Sequence, residues 1–162
     1  MAASLIVKNF ADGALTGDDA GGHSNTLLYS QGNLSVSGLR SDGRNVSHYE
    51  SRGSRTSSRM TTRAYAQVTV SRQYTEAYDP AGMKELALGR TAGFVSTTAA
   101  TGDIDTIDLT FTSHYDAETH TWVFEDCEAE AGFTEGDPSE ESFTWNCLGK
   151  ITLDGIEYVP TP

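Results

Sequence analysis

The chain has 162 residues, with 23 acidic against 11 basic side chains and a net charge of -12. That length supports one domain, residues 1–162, with a core of its own, and an apolar share of 37% with fifteen aromatic residues excludes a wholly disordered acidic chain. No stretch reaches the roughly 18–20 apolar residues that span a bilayer, and Met1–Phe10 lacks the pattern of a secretory leader, so the reading is a soluble chain made in the cytoplasm.

Ser and Thr occupy 36 positions, which favours strands and turns over helices and predicts a mainly β protein. In chain order, Leu5–Phe10 reads as a first strand and Asp12–Ser24, rich in Gly and Asp, as a loop. Thr26–Ser30 and Asn33–Leu39 read as strands. Arg40–Arg63 is polar and Arg-rich, a long exposed loop in which Val46–Glu50 is a candidate strand. Arg63–Tyr74 alternates again, with Ala64, Ala66, Val68 and Val70 on one face. The one helix is predicted over about 79–89: Asp79 caps it, Pro80 suits its first turn, Gly89 its exit, and Met83, Leu86 and Ala87 share one face. Ile104–His114 is a half-buried strand turned by Asp-Ala-Glu-Thr.

The last strands allow a register. Centring a hairpin on Asp137 sets Val123 opposite Ile151, Cys127 opposite Cys147, Ala129 opposite Trp145, Ala131 opposite Phe143 and Phe133 opposite Glu141. Phe124, Asp126, Glu128 and Glu130 then take the other face, with Lys150, Leu148, Asn146 and Thr144 across from them. A slip of one residue would drive Glu128 and Glu130 into the core, where unpaired carboxylates are costly.

Charge is segregated. Up to Arg72 there are eight basic and five acidic residues; beyond it, three and eighteen. Residues 103–141 hold 13 carboxylates and no Lys or Arg. A basic arm and an acidic body on one chain point to self-complementary, head-to-tail assembly, with solvated loops as the plain alternative.

Sites of chemistry are sparse. His114, Asp116, Glu118 and His120 alternate in a segment that reads more simply as a turn than as a metal site, and Asp103, Asp105 and Asp108 lack calcium-loop spacing. Cys127 and Cys147 form neither a disulfide framework nor a metal knuckle by spacing. No phosphate loop or nucleophile elbow occurs, so no enzyme activity, cofactor or metal is expected.

Five segments in order resemble the tail tube (major tail) proteins of long-tailed bacteriophages. These are Gln31-Gly-Asn-Leu-Ser-Val-Ser-Gly38, His48-Tyr-Glu-Ser-Arg-Gly53, Asp79-Pro-Ala-Gly-Met-Lys-Glu-Leu86, Phe124-Glu-Asp-Cys-Glu-Ala-Glu-Ala-Gly-Phe-Thr-Glu-Gly-Asp-Pro138 and Ser142-Phe-Thr-Trp-Asn-Cys147. The resemblance implies a β-barrel or sandwich of two packed antiparallel sheets flanked by the helix. It implies hexameric rings stacked into the tail tube of a virion, a conduit through which double-stranded DNA passes. The implied partners are further copies of the chain, a tape measure protein, a tail terminator and distal tail or baseplate proteins, with no membrane. On this reading Arg44, Arg52, Arg55 and Arg59 contact neighbouring subunits or rings, and Asp126, Glu128 and Glu130 are candidates for an acidic lumen. A tail terminator or minor tail protein of the same fold is one alternative. A monomeric sandwich binding a carbohydrate or receptor through Trp122 or Trp145 is another.

Overall fold

The computed structural model describes residues 13–28, 32–40, 43–73, 82–98, 104–115, 118–137 and 139–159. The strand predicted at Leu5–Phe10 lies outside them, as do Asp79 and Pro80. The described chain is mainly β and antiparallel, with one short helix. Its strands are β1 (Ala14–Asp18), β2 (Ser24–Leu28), β3 (Gly32–Ser37), β4 (Arg44–Ser51), β5 (Ser54–Arg63), β6 (Ala66–Gln73), β7 (Thr106–Tyr115), β8 (Glu118–Thr134), β9 (Glu140–Cys147), β10 (Ile151–Leu153) and β11 (Ile156–Val159). Helix α1 (Gly82–Ala87) lies between β6 and β7.

One nine-stranded sheet runs β2-β1-β7-β8-β9-β6-β3, with β10 on β8 and β11 on β10; among the described residues β4 and β5 pair only with each other. Among the described residues β2 and β3 are the open ends of this path, so the sheet is sandwich-like and not a closed barrel. Odd residues of β7 and β9 and even residues of β3 and β6 face inward, and one continuous core joins them, including Leu15, Val68, Leu109, Phe143 and Trp145. Phe143 and Trp145 stack with ring centroids 5.2 Å apart. Helix α1 covers this core with Met83, Leu86 and Ala87, the face its spacing predicted. It ends at Gly89, where Arg90 N–H donates to Glu85 O at 2.7 Å and Gly89 N–H to Leu86 O at 3.2 Å.

Two predicted loops are strands. The Gly- and Asp-rich segment contains β1, whose Leu15 and Gly17 face the core. An added side chain at Gly17 would stand 3.0 Å from Ile107 Cδ1, so this glycine serves close packing, not a turn. The segment predicted as the long exposed loop 40–63 is exposed but is a hairpin of β4 and β5, with the candidate strand Val46–Glu50 inside β4. It turns on Arg52 (φ 52) and Gly53 (φ 79), the two left-handed positions of a type I′ turn.

The register predicted for the last hairpin holds from Cys127↔Cys147 to Thr134↔Glu140 and then breaks. Asp126 takes φ 54, and β8 gains a residue against β7 between Ile107 and Leu109. This bulge switches the inward parity of β8, so Ile151 pairs with Phe124 and not with Val123. Phe124, predicted on the polar face beside Lys150, is fully buried. Opposite the bulge, Leu148–Lys150 separate β9 from β10. Leu148 N–H donates to Asp126 O, Gly149 N–H to Glu125 O and Glu125 N–H to Lys150 O, each at 3.0 Å. The corner therefore keeps its backbone groups paired while the chain bends. Strands β10 and β11, unforeseen as separate elements, follow from it.

A polar sheet face and a projecting hairpin

The core occupies only one side of the large sheet. On the other side stand Ser35 and Ser37 of β3, Gln67, Thr69 and Ser71 of β6, and Ser142, Thr144 and Asn146 of β9. Glu128 and Glu130 of β8, Asp108, Thr110 and Thr112 of β7, Thr16 and Asp18 of β1, and Ser24 and Thr26 of β2 complete it. None of these is buried and none is Lys or Arg, but at the corner Lys150 stands on the same side, its Nζ 3.6 Å from Glu125 Oε1. Neighbours across the ladder satisfy one another: Thr16 and Thr26 hydroxyls lie 2.9 Å apart, and Gln67 Nε2 donates to Asn146 Oδ1 at 2.9 Å.

The predicted acidic residues divide. Glu128 and Glu130 stand exposed on this face. Asp126 sits in the corner, half-buried, its N–H donating to Asp108 Oδ1 at 2.9 Å. Folding adds carboxylates that the linear charge count could not group: Asp18 on β1 lies directly across from Asp108 on β7. Burial raises the Asp108 carboxyl, the Asp126 N–H opposes this, and the carboxylates of Asp126, Glu125 and Asp18 push it up further, leaving it above the ordinary range. Like charges placed opposite each other cost stability. Lys150, held by Glu125 at the corner, offsets only part of this charge, so the face is net acidic and attracts polyanions weakly.

The predicted basic residues lie on the hairpin. Arg44 opens β4, Arg52 occupies the turn, and Arg55 and Arg59 lie on β5 opposite Glu50 and Ser47. All four are exposed. Residues 44–63 carry five Arg and one Glu. No described side chain of the hairpin is buried, whereas Val46 (44% exposed), Tyr49 (50%) and Met60 (56%) put apolar surface into water. Val46 and Met60 face each other across the ladder. Its base is closed by Ala64 N–H donating to Gly43 O at 2.9 Å and tied to the body by Arg63 Nη2 donating to Leu148 O at 3.1 Å. A lone two-stranded hairpin is marginal in water. This one lacks a core of its own and offers arginines and apolar side chains outward.

The remaining polar clusters have structural partners. His120 Nδ1 lies 2.8 Å from Asp154 Oδ2, and the Thr121 N–H donates to Asp154 Oδ1, holding the Asp154 carboxyl below the ordinary range. Asp116 lies outside the described residues. Among the described residues, no three His, Cys, Asp or Glu side chains gather as a metal ion requires. Trp145 is fully buried, and Trp122 is half-buried against Phe124 and Tyr158, with centroids 6.1 and 5.5 Å away. Neither tryptophan presents the open, flat face that stacks a sugar.

A buried ion cluster was not foreseen from the sequence. Glu141, across the ladder from Arg72, has its Oε2 3.4 Å from Arg72 Nε and its Oε1 2.7 Å from Lys84 Nζ. Arg72 is on the core-facing side of β6, in step with Val68 and Val70, and caps the core over Phe143 with its guanidinium 5.9 Å from the ring. The signal was present in the predicted Phe133–Glu141 pair, which put a carboxylate on the apolar face and required a cation.

No protein-family model matches the chain, and no curated protein matches it in sequence. Its fold is shared with solved structures. One is a chain in the cryo-EM structure of the anti-feeding prophage baseplate, with TM-score 0.56 and 8% identity over 96% of this chain and 99% of that one. Another is a chain in the cryo-EM structure of the anti-feeding prophage cap, described as a tube-terminating cap, with TM-score 0.55 and 12% identity over 95% and 94%.

Proposed function

We propose that the protein is a non-catalytic structural subunit of a phage-type tail, which self-assembles into hexameric rings that stack as the tail tube of a virion. The observation that carries this reading is the broad, net acidic sheet face, whose Lys150 is paired with Glu125, on the same chain as an arginine-bearing hairpin that has no core. Double-stranded DNA binds proteins largely through phosphates neutralised by Lys and Arg, with release of counterions. A wall of hydroxyls, amides and carboxylates forgoes that attraction, so DNA slides past it. The face bearing Glu128 and Glu130 lines the lumen, and Asp126 holds the corner at its edge.

The hairpin supplies the contact between copies. Arg44, Arg52, Arg55 and Arg59 meet carboxylates of a neighbouring subunit or ring in forked, charge-assisted hydrogen bonds. Val46, Tyr49 and Met60 are covered in the same contact. Likeness of fold to baseplate and tube-cap chains supports a role within such a tail, with tape measure, terminator and distal tail proteins as partners. It also favours a second reading, a terminator or baseplate ring of the same fold that does not polymerise.

Electron microscopy of the purified protein tests these readings. Rings that stack into tubes support the tube, single rings that never stack support the terminator, and a strict monomer at high concentration refutes both. The variant Arg52→Glu/Arg55→Glu/Arg59→Glu keeps the wild-type circular dichroism spectrum and forms no tubes. Normal tubes from it refute the role assigned to the hairpin.

A further inference from the structure

Cys127 and Cys147 are free thiols in the core, 0% and 2% exposed, with their sulfurs 3.6 Å apart. Their register is what makes them notable. Where the ladder ends beside them, Leu148 N–H donates to Asp126 O. Hydrogen-bonded and non-hydrogen-bonded pairs alternate along an antiparallel ladder, so Cys127 and Cys147 occupy a non-hydrogen-bonded pair. There the Cα atoms come within about 4.5 Å and the side chains stand closest, inside the range that a disulfide spans. Closing the bond draws the sulfurs together by only about 1.5 Å, to the covalent length of about 2.05 Å.

We propose that Cys127 and Cys147 are a latent cross-strand disulfide, which closes in the folded chain on meeting a small disulfide oxidant such as oxidised glutathione. The bond fastens β8 to β9 at the corner where β9 gives way to β10. One cysteine thiolate attacks the S–S bond of the oxidant, forming a mixed disulfide and expelling one oxidant thiolate. The other cysteine sulfur then attacks the protein sulfur of that mixed disulfide, forming the Cys127–Cys147 bond and expelling the second thiolate. The two cysteines lose two electrons and two protons, and the oxidant takes them up as two thiols.

The surroundings set the conditions. Burial, the adjacent Cys147 and the carboxylates of Asp108 and Asp126 push the Cys127 thiol well above its ordinary range. The pair therefore stays as thiols in a reducing compartment, and oxidation proceeds through local opening of the corner. This device does not depend on the tail assignment, because it rests on register and sulfur geometry alone.

The test uses the reduced full chain in native buffer with millimolar oxidised glutathione, followed by intact mass and by peptide mapping under alkylation. The expected product is lighter by two hydrogens and contains one Cys127–Cys147 linked peptide. Its melting temperature is higher by roughly 5–10 °C, and reductant reverses both changes. Stable glutathione adducts without ring closure overturn the proposal. So do two thiols that remain alkylatable, closure only in denaturant, or a melting temperature that falls on closure. Cys127→Ser and Cys147→Ser, each treated alike, give no loss of two hydrogens in a monomer; such a loss in either variant also overturns it.

Discussion

Removing the carboxylate of Glu141 is the sharpest probe of how the core tolerates charge. In Glu141→Leu the Arg72 guanidinium, whose side chain is 1% exposed, keeps its place over Phe143 but loses the Oε2 partner 3.4 Å away, and Lys84 loses its 2.7 Å contact with Oε1. Breaking a buried pair from one side costs about 3–5 kcal/mol, because the remaining charge is left in a medium that solvates it poorly. For a domain of this length that corresponds to a fall in melting temperature of roughly 6–20 °C. Removing both charges with volume kept, in Arg72→Met/Glu141→Leu, is neutral or recovers most of the loss. The assay is urea unfolding of wild type, both single variants and the double variant, read as a double-mutant cycle. A single Glu141→Leu loss below about 1 kcal/mol, the worth of an exposed pair, refutes the reasoning. So does a double variant as unstable as the sum of the singles.

Other expectations follow from the same geometry. Asp108, held above the ordinary carboxyl range by burial and by Asp126, Glu125 and Asp18, is destabilising once ionised, so Asp108→Asn raises the melting temperature at pH 7. That gain shrinks to nothing as pH falls below about 4, where the carboxyl is protonated in folded and unfolded chains alike, and a gain independent of pH counts against burial and carboxylate repulsion as its cause. Asp19 behaves in the opposite sense. Burial alone would raise its carboxyl, but the His23 amide and ring and the Val95 amide outweigh that and hold it below the ordinary range. Its contribution is present above about pH 4 and is lost as pH falls through the folded-state value, so Asp19→Asn weakens the fold at neutral pH and less so in acid; equal loss at pH 3 and pH 7 in denaturant titrations rules this out. Val46→Thr/Met60→Thr changes monomer stability by less than about 0.5 kcal/mol, since both side chains already face water, yet weakens assembly in sedimentation experiments. Leu109→Ala, in the fully buried interior of β7, costs about 2–5 kcal/mol in chemical unfolding; a loss below about 1 kcal/mol contradicts its place in the core.

Periodicity was informative wherever the chain stayed regular. The inward faces of β6 and β7, the buried face of α1 and the register of β8 with β9 were all readable because α1 keeps one helical spacing and β6, β7, β9 and the part of β8 from Cys127 onward each keep one parity. The pairing of Cys127 with Cys147 is legible for the same reason, since both lie on the regular side of the corner. Reading failed where parity changes. Nothing in Glu125-Asp126 announces a left-handed residue, and it is Asp126 that exchanges Val123 for Phe124 in the core. It failed again where glycine serves packing, at Gly17, and where Ser and Thr in the 44–63 segment pair as strands although they bury nothing.

Composition and order along the chain were enough to establish a β-rich fold, a helix that covers the core, a basic segment and an acidic one. These depend on side-chain type and local spacing, which a linear sequence states directly. The broad acidic face could not be seen that way. Asp18, Asp108 and Glu128 are far apart in sequence and become neighbours only because β1, β7 and β8 lie side by side. Likewise Arg72 counted as part of the basic arm until the ladder set it across from Glu141 inside the core. Strand order is decided by which distant faces bury together, and that choice turned a charge imbalance into two surfaces of different chemistry.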